Sequence, residues 1–447
     1  MSPCMHLSAR FAQSAVFLLA GEILYAYPAA AADPKPPEPN PADPVNYIEW
    51  LNETFGGDIE DNAYDEYQKA YERLEPFDGD WAPALDGPWS DNEDLSDWLA
   101  ANRRSLAKFR EASRKGDCFL SLEPREPSGD PRMDPCLAFA ALPTLKAHAN
   151  AVKGLIAEGY RAWANGDQTR LPEHCIVVLR SAHHLDNSPT LVGRLVGISC
   201  AAKAYRALRQ ALKLSDDPAT LAEQILPELD RADPALPPFA EACGFERLVA
   251  WDLCQRLFVP AKRGTWILHP PAVKGVAQMG LPGVSRNNLK RMAEIGFDET
   301  LREIDTYFEA LERWSDTPYH LAAERADRLD RMVAESENPF IRTFLASLTW
   351  ARTLHEKLTA DRRATHLITH LLAYRAEHDR FPRKLSQLDL PDLDKLRIDP
   401  FRGRDFVYRR KGETFTLYSV AENLKDDGGR HDEKWAHGDF VFWPVQD

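Results

Sequence analysis

The sequence lacks several features, and each lack excludes something. Its seven cysteines in 447 residues include no Cys-x-x-Cys pair, which removes a zinc ribbon and a thioredoxin-type redox centre. No stretch approaches the roughly 18 uninterrupted apolar residues that mark a membrane-spanning helix, so no stable span is expected in the mature chain. Gly-x-Ser-x-Gly, a P-loop and a Gly-x-Gly-x-x-Gly turn at a strand-to-helix junction are missing, and with them the usual nucleophile elbow and phosphate cradles. Positive charge is in deficit: 55 Lys+Arg face 69 Asp+Glu, a net −14. Nucleic acid, which demands clustered cations, is therefore not an expected partner.

The acidity is local. Residues 43–97 hold seventeen Asp/Glu and two basic residues, Lys69 and Arg73. That window alone exceeds the net charge of the chain, and the remainder is close to neutral. The same window carries Tyr47, Trp50, Phe55, Tyr64, Tyr67, Tyr71, Phe77, Trp81 and Trp89, with Trp98 just after it. Disordered segments are poor in aromatics, so short helices and turns with an acidic, solvated surface are expected. A patch for cations or for a basic partner is the sharper alternative.

The start of the chain reads as an export signal over residues 1–32. Arg10 is a weak positive n-region, residues 15–20 (AVFLLA) are a short apolar h-region, and residues 29–32 are small enough for cleavage after Ala31 or Ala32. An uncleaved N-terminal anchor is the alternative. Residues 33–44 contain six prolines, which favours an extended, semi-rigid spacer. An exported location, periplasmic or at the cell surface, follows. Oxidation would then be permitted, and Cys118 and Cys136, flanking a loop rich in proline, are the best-placed pair for a disulfide; buried free thiols are the other outcome. Cys243 and Cys254 share a helix about 16 Å apart and cannot bond.

From residue 93 to about 379 the apolar period is helical. Leu95, Trp98, Leu99, Asn102, Leu106 and Phe109 form one stripe. Further helices are expected over 137–163 (with breaks at Pro143 and Gly154), 175–184, from a Ser188 cap with Pro189 onward, 241–258, 287–295, 298–314, 321–336 and, as one long helix, 338–379. Residues 260–284 read as a loop. No fixed-period repeat emerges. The fold class is thus mainly α, an irregular helical bundle or solenoid-like body over 45–337, followed by a small α+β domain over 338–447.

Histidines are the natural candidates for chemistry. His366 and His370, four apart on a helix, share a face and could grip a metal; His355 lies about three turns earlier. Position 367 is Leu and position 359 is Thr, so neither histidine opens a His-Glu-x-x-His zinc motif. His183 and His184 precede Asp186, but adjacent helical residues point about 100° apart. No catalytic residue is assigned.

After the long helix the period changes to two. Residues 404–409 and 414–421 read as strands joined at Lys411-Gly412, and residues 439–443 as a third. This end carries Tyr374-Arg-Ala-Glu-His-Asp-Arg-Phe-Pro382, then Leu385 and Leu388, Asp399-Pro-Phe-Arg-Gly403, Phe406-Val-Tyr408, Phe415-Thr-Leu-Tyr-Ser-Val420, Asp427-Gly-Gly429 and Gly438-Asp439. In order and spacing it resembles the C-terminal domain of type II secretion major pseudopilins over about the last 80 residues. The layout of signal, helical body and this tail also resembles exported proteins of planctomycete-type bacteria. The resemblance implies a helix packed on a three-stranded antiparallel sheet, with calcium held before the last strand by Asn423, Asp427, Asp439 and nearby carbonyls. Ala421, Asn423 and Leu424 stand where the family has Gly, Asp and Gly. More than 300 residues separate the leader from this module, where pseudopilins have few.

The expectation for function is an exported, non-enzymatic protein that binds or assembles with a protein partner in the cell envelope. A component associated with a type II secretion-like apparatus and a periplasmic hydrolase are the alternatives.

Overall fold

Helices dominate the computed structural model, as the 3.6-residue period requires. It describes residues 35–447 apart from 56–61, 78, 88, 90–91, 120–121, 125–128, 141–143, 187–189, 279–283, 346, 391 and 447. The export signal, its cleavage site and the Ser188-Pro189 cap lie outside the described residues. The fold is mainly α with a small α+β C-terminal end.

The helices serve two apolar cores. The first gathers Ala63–Tyr71, Glu93–Ala101, Arg103–Ala112, Leu145–Ala164, Arg170–Asp186, Leu191–Leu214, Pro218–Ala232 and most of Thr349–His378, together with the C-terminal sheet. The second gathers Tyr47–Phe55, Phe239–Leu257, Arg286–Ile295, Phe297–Ser315, Ala326–Ala334 and Pro339–Phe344. Local chemistry sets the starts. Asn92 accepts from Leu95 N–H, Thr190 from Gly193, Asp217 from Thr220 and Ser285 from Asn288, each satisfying an orphan donor of the first turn. Thr190, two residues after the expected Ser188, is the cap of Leu191–Leu214.

Where the structure departs from the periodicity, a polar side chain or a proline decides. The stripe over 95–109 is two helices. Asn102 is buried, its amide donates to Trp98 O at 2.9 Å and its carbonyl accepts from Glu75 N at 2.8 Å, so the side chain takes over the backbone's role at the break. Gly154 does not interrupt Leu145–Ala164. It makes room there, since a Cβ would lie 2.6 Å from the Trp98 ring. Residues 260–284 are not simply a loop. A hairpin, β1 (Phe258–Pro260) with β2 (Trp266–Leu268), leads into a helix Pro270–Gln278, because proline at the first helical positions costs no hydrogen bond. The long helix expected over 338–379 is split into Pro339–Phe344 and Thr349–His378. Ser347 and Thr349 hydroxyls both donate to Asp330 at the break, where the chain crosses from the second core toward the first.

The proline-rich segment is docked on the body rather than standing free of it. Asn40 and Val45 N–H donate to Gln255 Oε1 at 3.0 and 2.9 Å, Arg132 donates to Pro41 O, and Tyr47 Oη donates to Pro37 O at 2.8 Å. Beneath it Arg256, 1% exposed, pairs with fully buried Asp252 at 2.9 Å. Cys118 and Cys136 do not form the candidate disulfide; all six described cysteines are free thiols, the other outcome the sequence allowed. Burial pushes the Cys118 thiol up to about 12, so it is protonated and unreactive at neutral pH.

The acidic N-terminal region does fold as short helices, and histidines of the body hold it. Tyr67 Oη lies 3.0 Å from His184 Nδ1, and His184 Nε2 lies 3.1 Å from Lys115 O. A neutral ring meets both: Nε2–H donates to the carbonyl and Nδ1 accepts from tyrosine. Tyr71 Oη sits likewise 2.8 Å from His148 Nδ1. Burial drives His184 down to about 4 and His148 to about 3. A depressed histidine contributes stability above its ordinary pKa of about 6.5, which is lost as pH falls and the unfolded chain alone takes up the proton. The advantage of wild type over His184→Gln in urea denaturation should therefore shrink by about 2 kcal/mol between pH 7.5 and pH 5. An advantage that stays constant across that interval would mean His184 ionises normally in the folded protein.

Candidate functional site

The C-terminal sheet is antiparallel in the order β5 (Val407–Lys411), β6 (Thr414–Ser419), β7 (Phe440–Trp443), with Lys411 opposite Thr414 across the Gly412 turn. Phe415, Leu417 and Phe442 turn one face to the helix Thr349–His378, joined by Phe381, Leu385 and Phe401. Residues 404–405 belong to a separate two-residue pairing, β3 (Ile398–Asp399) with β4 (Arg404–Asp405), not to the first strand of the sheet. Asp399 is fully buried and accepts from Phe401 N–H at 3.0 Å, Ser419 Oγ at 2.9 Å and Val420 N–H at 3.1 Å. Its carboxylate ties the Asp-Pro turn to the end of β6. Burial outweighs these donors and raises it to about 6.

The loop after β6 holds the residues expected to bind calcium. Asn423 Nδ2 donates to Asp427 Oδ2 at 2.8 Å, while Asn423 Oδ1 accepts from Lys425 N–H. Asp439 lies beneath the loop, fully buried. One oxygen accepts from Gly429 N–H at 2.7 Å, and the other, Oδ1, has no hydrogen-bond partner among the described residues. Burial pushes Asp439 above the ordinary range; the backbone N–H groups of Gly429 and Asp427 oppose this, and the carboxylates of Asp426 and Asp427 add to it. A buried anion beside two like charges is unfavourable alone and favourable with a cation. Asp426, absent from the sequence-derived set, accepts from Tyr418 Oη at 2.8 Å and Gly428 N–H at 3.1 Å. The structure thus brings Asn423 and Asp427 together, and connects Asp439 to their loop through Gly429.

Histidines gather elsewhere. On Thr349–His378, His366 Nε2 lies 2.7 Å from Asp233 Oδ2 and Nδ1 3.2 Å from Asp230 Oδ1; His370 Nε2 lies 3.6 Å from the same Asp230 oxygen. His355 stays apart, beside Phe239. Among the described residues, Asp230, His366 and His370 are the one group of three such side chains whose ligand atoms fall within 4.8 Å of one another. Sequence reading paired the two histidines and missed the aspartates. Asp230 is 136 residues before His366, and nothing in the local pattern joins them.

A cavity of about 990 Å³ opens between Arg170–Asp186 and Pro218–Ala232, lined by His174, His183, His184, Glu173, Glu228 and Arg180 among others. Two of its three histidines are engaged by the fold. His184 is engaged at both nitrogens, and His174 Nδ1 meets Leu155 O at 2.8 Å while Nε2 meets Arg110. Arg180 and Arg231 both pair with Glu228.

Compared with protein-family models, curated proteins and solved structures, the chain gives no match to any of them. Among the described residues no helix is long and apolar enough to cross a membrane.

The loop has a further property. Ala421 and Leu424 adopt φ of 56° and 58°, a left-handed conformation that costs an L-residue about 1–2 kcal/mol. A β-branched side chain tolerates it least. Ala421→Val should destabilise by at least about 2 kcal/mol, whereas Ala421→Gly should stay within about 1 kcal/mol of wild type. Thermal unfolding of both variants checks this, and equal losses would mean that packing, not φ, limits the position.

Proposed function

We propose that this chain is an exported, non-enzymatic protein of the cell envelope, which binds or assembles with a protein partner there through a pseudopilin-like C-terminal module organised by calcium. The observation that carries this reading is the buried Asp439 carboxylate, whose Oδ1 has no hydrogen-bond partner among the described residues and which lies under an aspartate-bearing loop. Asp439 and Asp427 would supply hard oxygens and the Gly428-Gly429 turn its carbonyls, the donor set that calcium prefers. Asn423 would join by releasing Asp427. A helix against three antiparallel strands, with left-handed backbone at 421 and 424 where the resembled family has glycine, supports the same reading. The leader and the proline-rich segment are the grounds for placing the protein outside the cytoplasm, and association with a type II secretion-like apparatus is the narrower form of the proposal.

The cavity beside Arg170–Asp186 is the observation on the side of a periplasmic hydrolase. The binding reading takes precedence because two of its three histidines are already consumed by the fold.

The test uses the full chain, since the long helix of the module packs on the body. With a dissociation constant of about 10⁻⁴–10⁻³ M, usual for extracellular calcium modules, 10 mM calcium stabilises by about 1.4–2.7 kcal/mol. The melting temperature should rise with calcium but not with magnesium, and the rise should vanish in Asp439→Asn and Asp427→Ala. No rise in wild type, or an equal rise in both variants, removes calcium. Cell fractionation and crosslinking test the location and the partner separately; recovery in the cytoplasm alone overturns the envelope reading.

A further inference from the structure

Helices Pro218–Ala232 and Thr349–His378 pack along one another, and near the end of the first they bring three donor atoms together. Asp230 Oδ1 is 3.2 Å from His366 Nδ1 and 3.6 Å from His370 Nε2. Zinc-type ions bind imidazole nitrogen and carboxylate oxygen at about 2.0–2.1 Å in a tetrahedron, which sets neighbouring ligand atoms about 3.3 Å apart. The two separations bracket that edge. A hydrogen bond explains one imidazole near a carboxylate; it does not require a second imidazole turned to the same oxygen.

We propose that Asp230, His366 and His370 bind a transition-metal dication of the zinc class, joining the two helices. The surroundings are those of a built site. A metal-ligating histidine usually donates its other ring N–H to a carboxylate, which fixes the tautomer and aims the ring. His366 does this through Nε2, 2.7 Å from Asp233 Oδ2. Asp233 is buried and held in turn: Tyr205 Oη donates to its Oδ1 at 2.7 Å, and the Arg362 guanidinium donates to its backbone carbonyl at 2.6 Å. Tyr205 is itself buried on Leu191–Leu214. Three helices thus preset one imidazole while its Nδ1 faces Asp230. His366 and His370 are four apart, the helical spacing that stacks two rings on one face. Asp230 is half exposed, so solvent reaches the site and supplies the fourth ligand. Two nitrogens and one oxygen select zinc, cobalt, nickel or copper over calcium and magnesium, which take oxygen. The site is separate from the aspartate loop and shares no residue with it.

The experiment is a titration of untagged full-length protein, stripped of metal by a chelator, with cobalt followed by visible absorption and with zinc followed by calorimetry. One equivalent should bind, with the intense d–d absorption of tetrahedral nitrogen- and oxygen-ligated cobalt, and zinc should displace it. His370→Ala and Asp230→Asn should each weaken binding at least about a hundredfold, and Tyr205→Phe, which removes one hydroxyl from the outer layer, about tenfold. Asp439→Asn should leave zinc binding unchanged, which separates this site from the calcium proposal. Asp230 is exposed, so its asparagine variant keeps the fold and decides the matter if His370→Ala does not. Absence of stoichiometric binding, binding undiminished in Asp230→Asn, or the charge-transfer band of a cobalt–thiolate bond overturns the assignment.

Discussion

The helix Thr349–His378 is the constraint on which the rest of the molecule depends. Across 364–372 every residue but His370 is buried, so this stretch has no solvent face. One side packs on Pro218–Ala232 and Leu191–Leu214, the other on the C-terminal sheet. A helix apolar all round would give its neighbours no orientation. Polar atoms supply it: Arg209 pairs with Asp361 at 2.8 Å, donates to Thr365 Oγ1 at 2.7 Å and lies over the Phe442 ring. One guanidinium therefore touches the body, the long helix and the last strand. Removing one member of a buried pair costs about 3–5 kcal/mol because the other charge is left unpaired, although the pair as a whole adds little stability. Its contribution is to fix the register of three elements.

That arrangement changes what the C-terminal end is. Read from sequence, residues 338–447 form a module appended to a helical trunk. In the structure the module shares one apolar core with most helices of residues 63–232, and the intervening segment of residues 239–345 builds the other together with residues 47–51 and 122–140. Cutting the chain at 338 would strip the long helix of one packed face. Chemistry at the C-terminal end is thus coupled to the body through packing that has already been formed, not through a linker.

Much of the fold was legible because local patterns decide it. The hairpin at Lys411-Gly412 and the third strand follow from alternation and turn chemistry, and the sheet needs only the adjacent helix to be stable. Most helices follow from spacing and caps. Misreadings fall where a distant partner outweighs the local pattern. Asn102 breaks a helix because Glu75 needs an acceptor. Ser347 and Thr349 break another because Asp330 lies near. The proline-rich segment is held by Gln255 and Arg132, over 90 residues away. The site was legible by halves for the same reason. His366 and His370 are visible as an i, i+4 pair, but Asp230 and Asp233 become their partners only once two helices pack. Asp439 was named by resemblance; its burial and unpartnered oxygen come from the tertiary fold.

The two candidate metal sites differ in what they would do to this architecture. The aspartate loop lies beyond β6, and a cation there would act on Asp439 and the turn at Gly428-Gly429, relieving repulsion among Asp426, Asp427 and Asp439. Its effect would be confined to the sheet's edge. The Asp230–His366–His370 group spans the packed interface of the long helix itself. A ligand that binds only the folded state stabilises it by RT ln(1 + [L]/Kd), and here that energy is placed across the contact that holds body and sheet together. Donor chemistry keeps the two independent, since oxygen-only loops favour hard ions and imidazole favours borderline ones. Physical separation makes them unequal: a cation in the loop would reshape the sheet's edge, and one at the histidines would tighten the frame on which that edge stands.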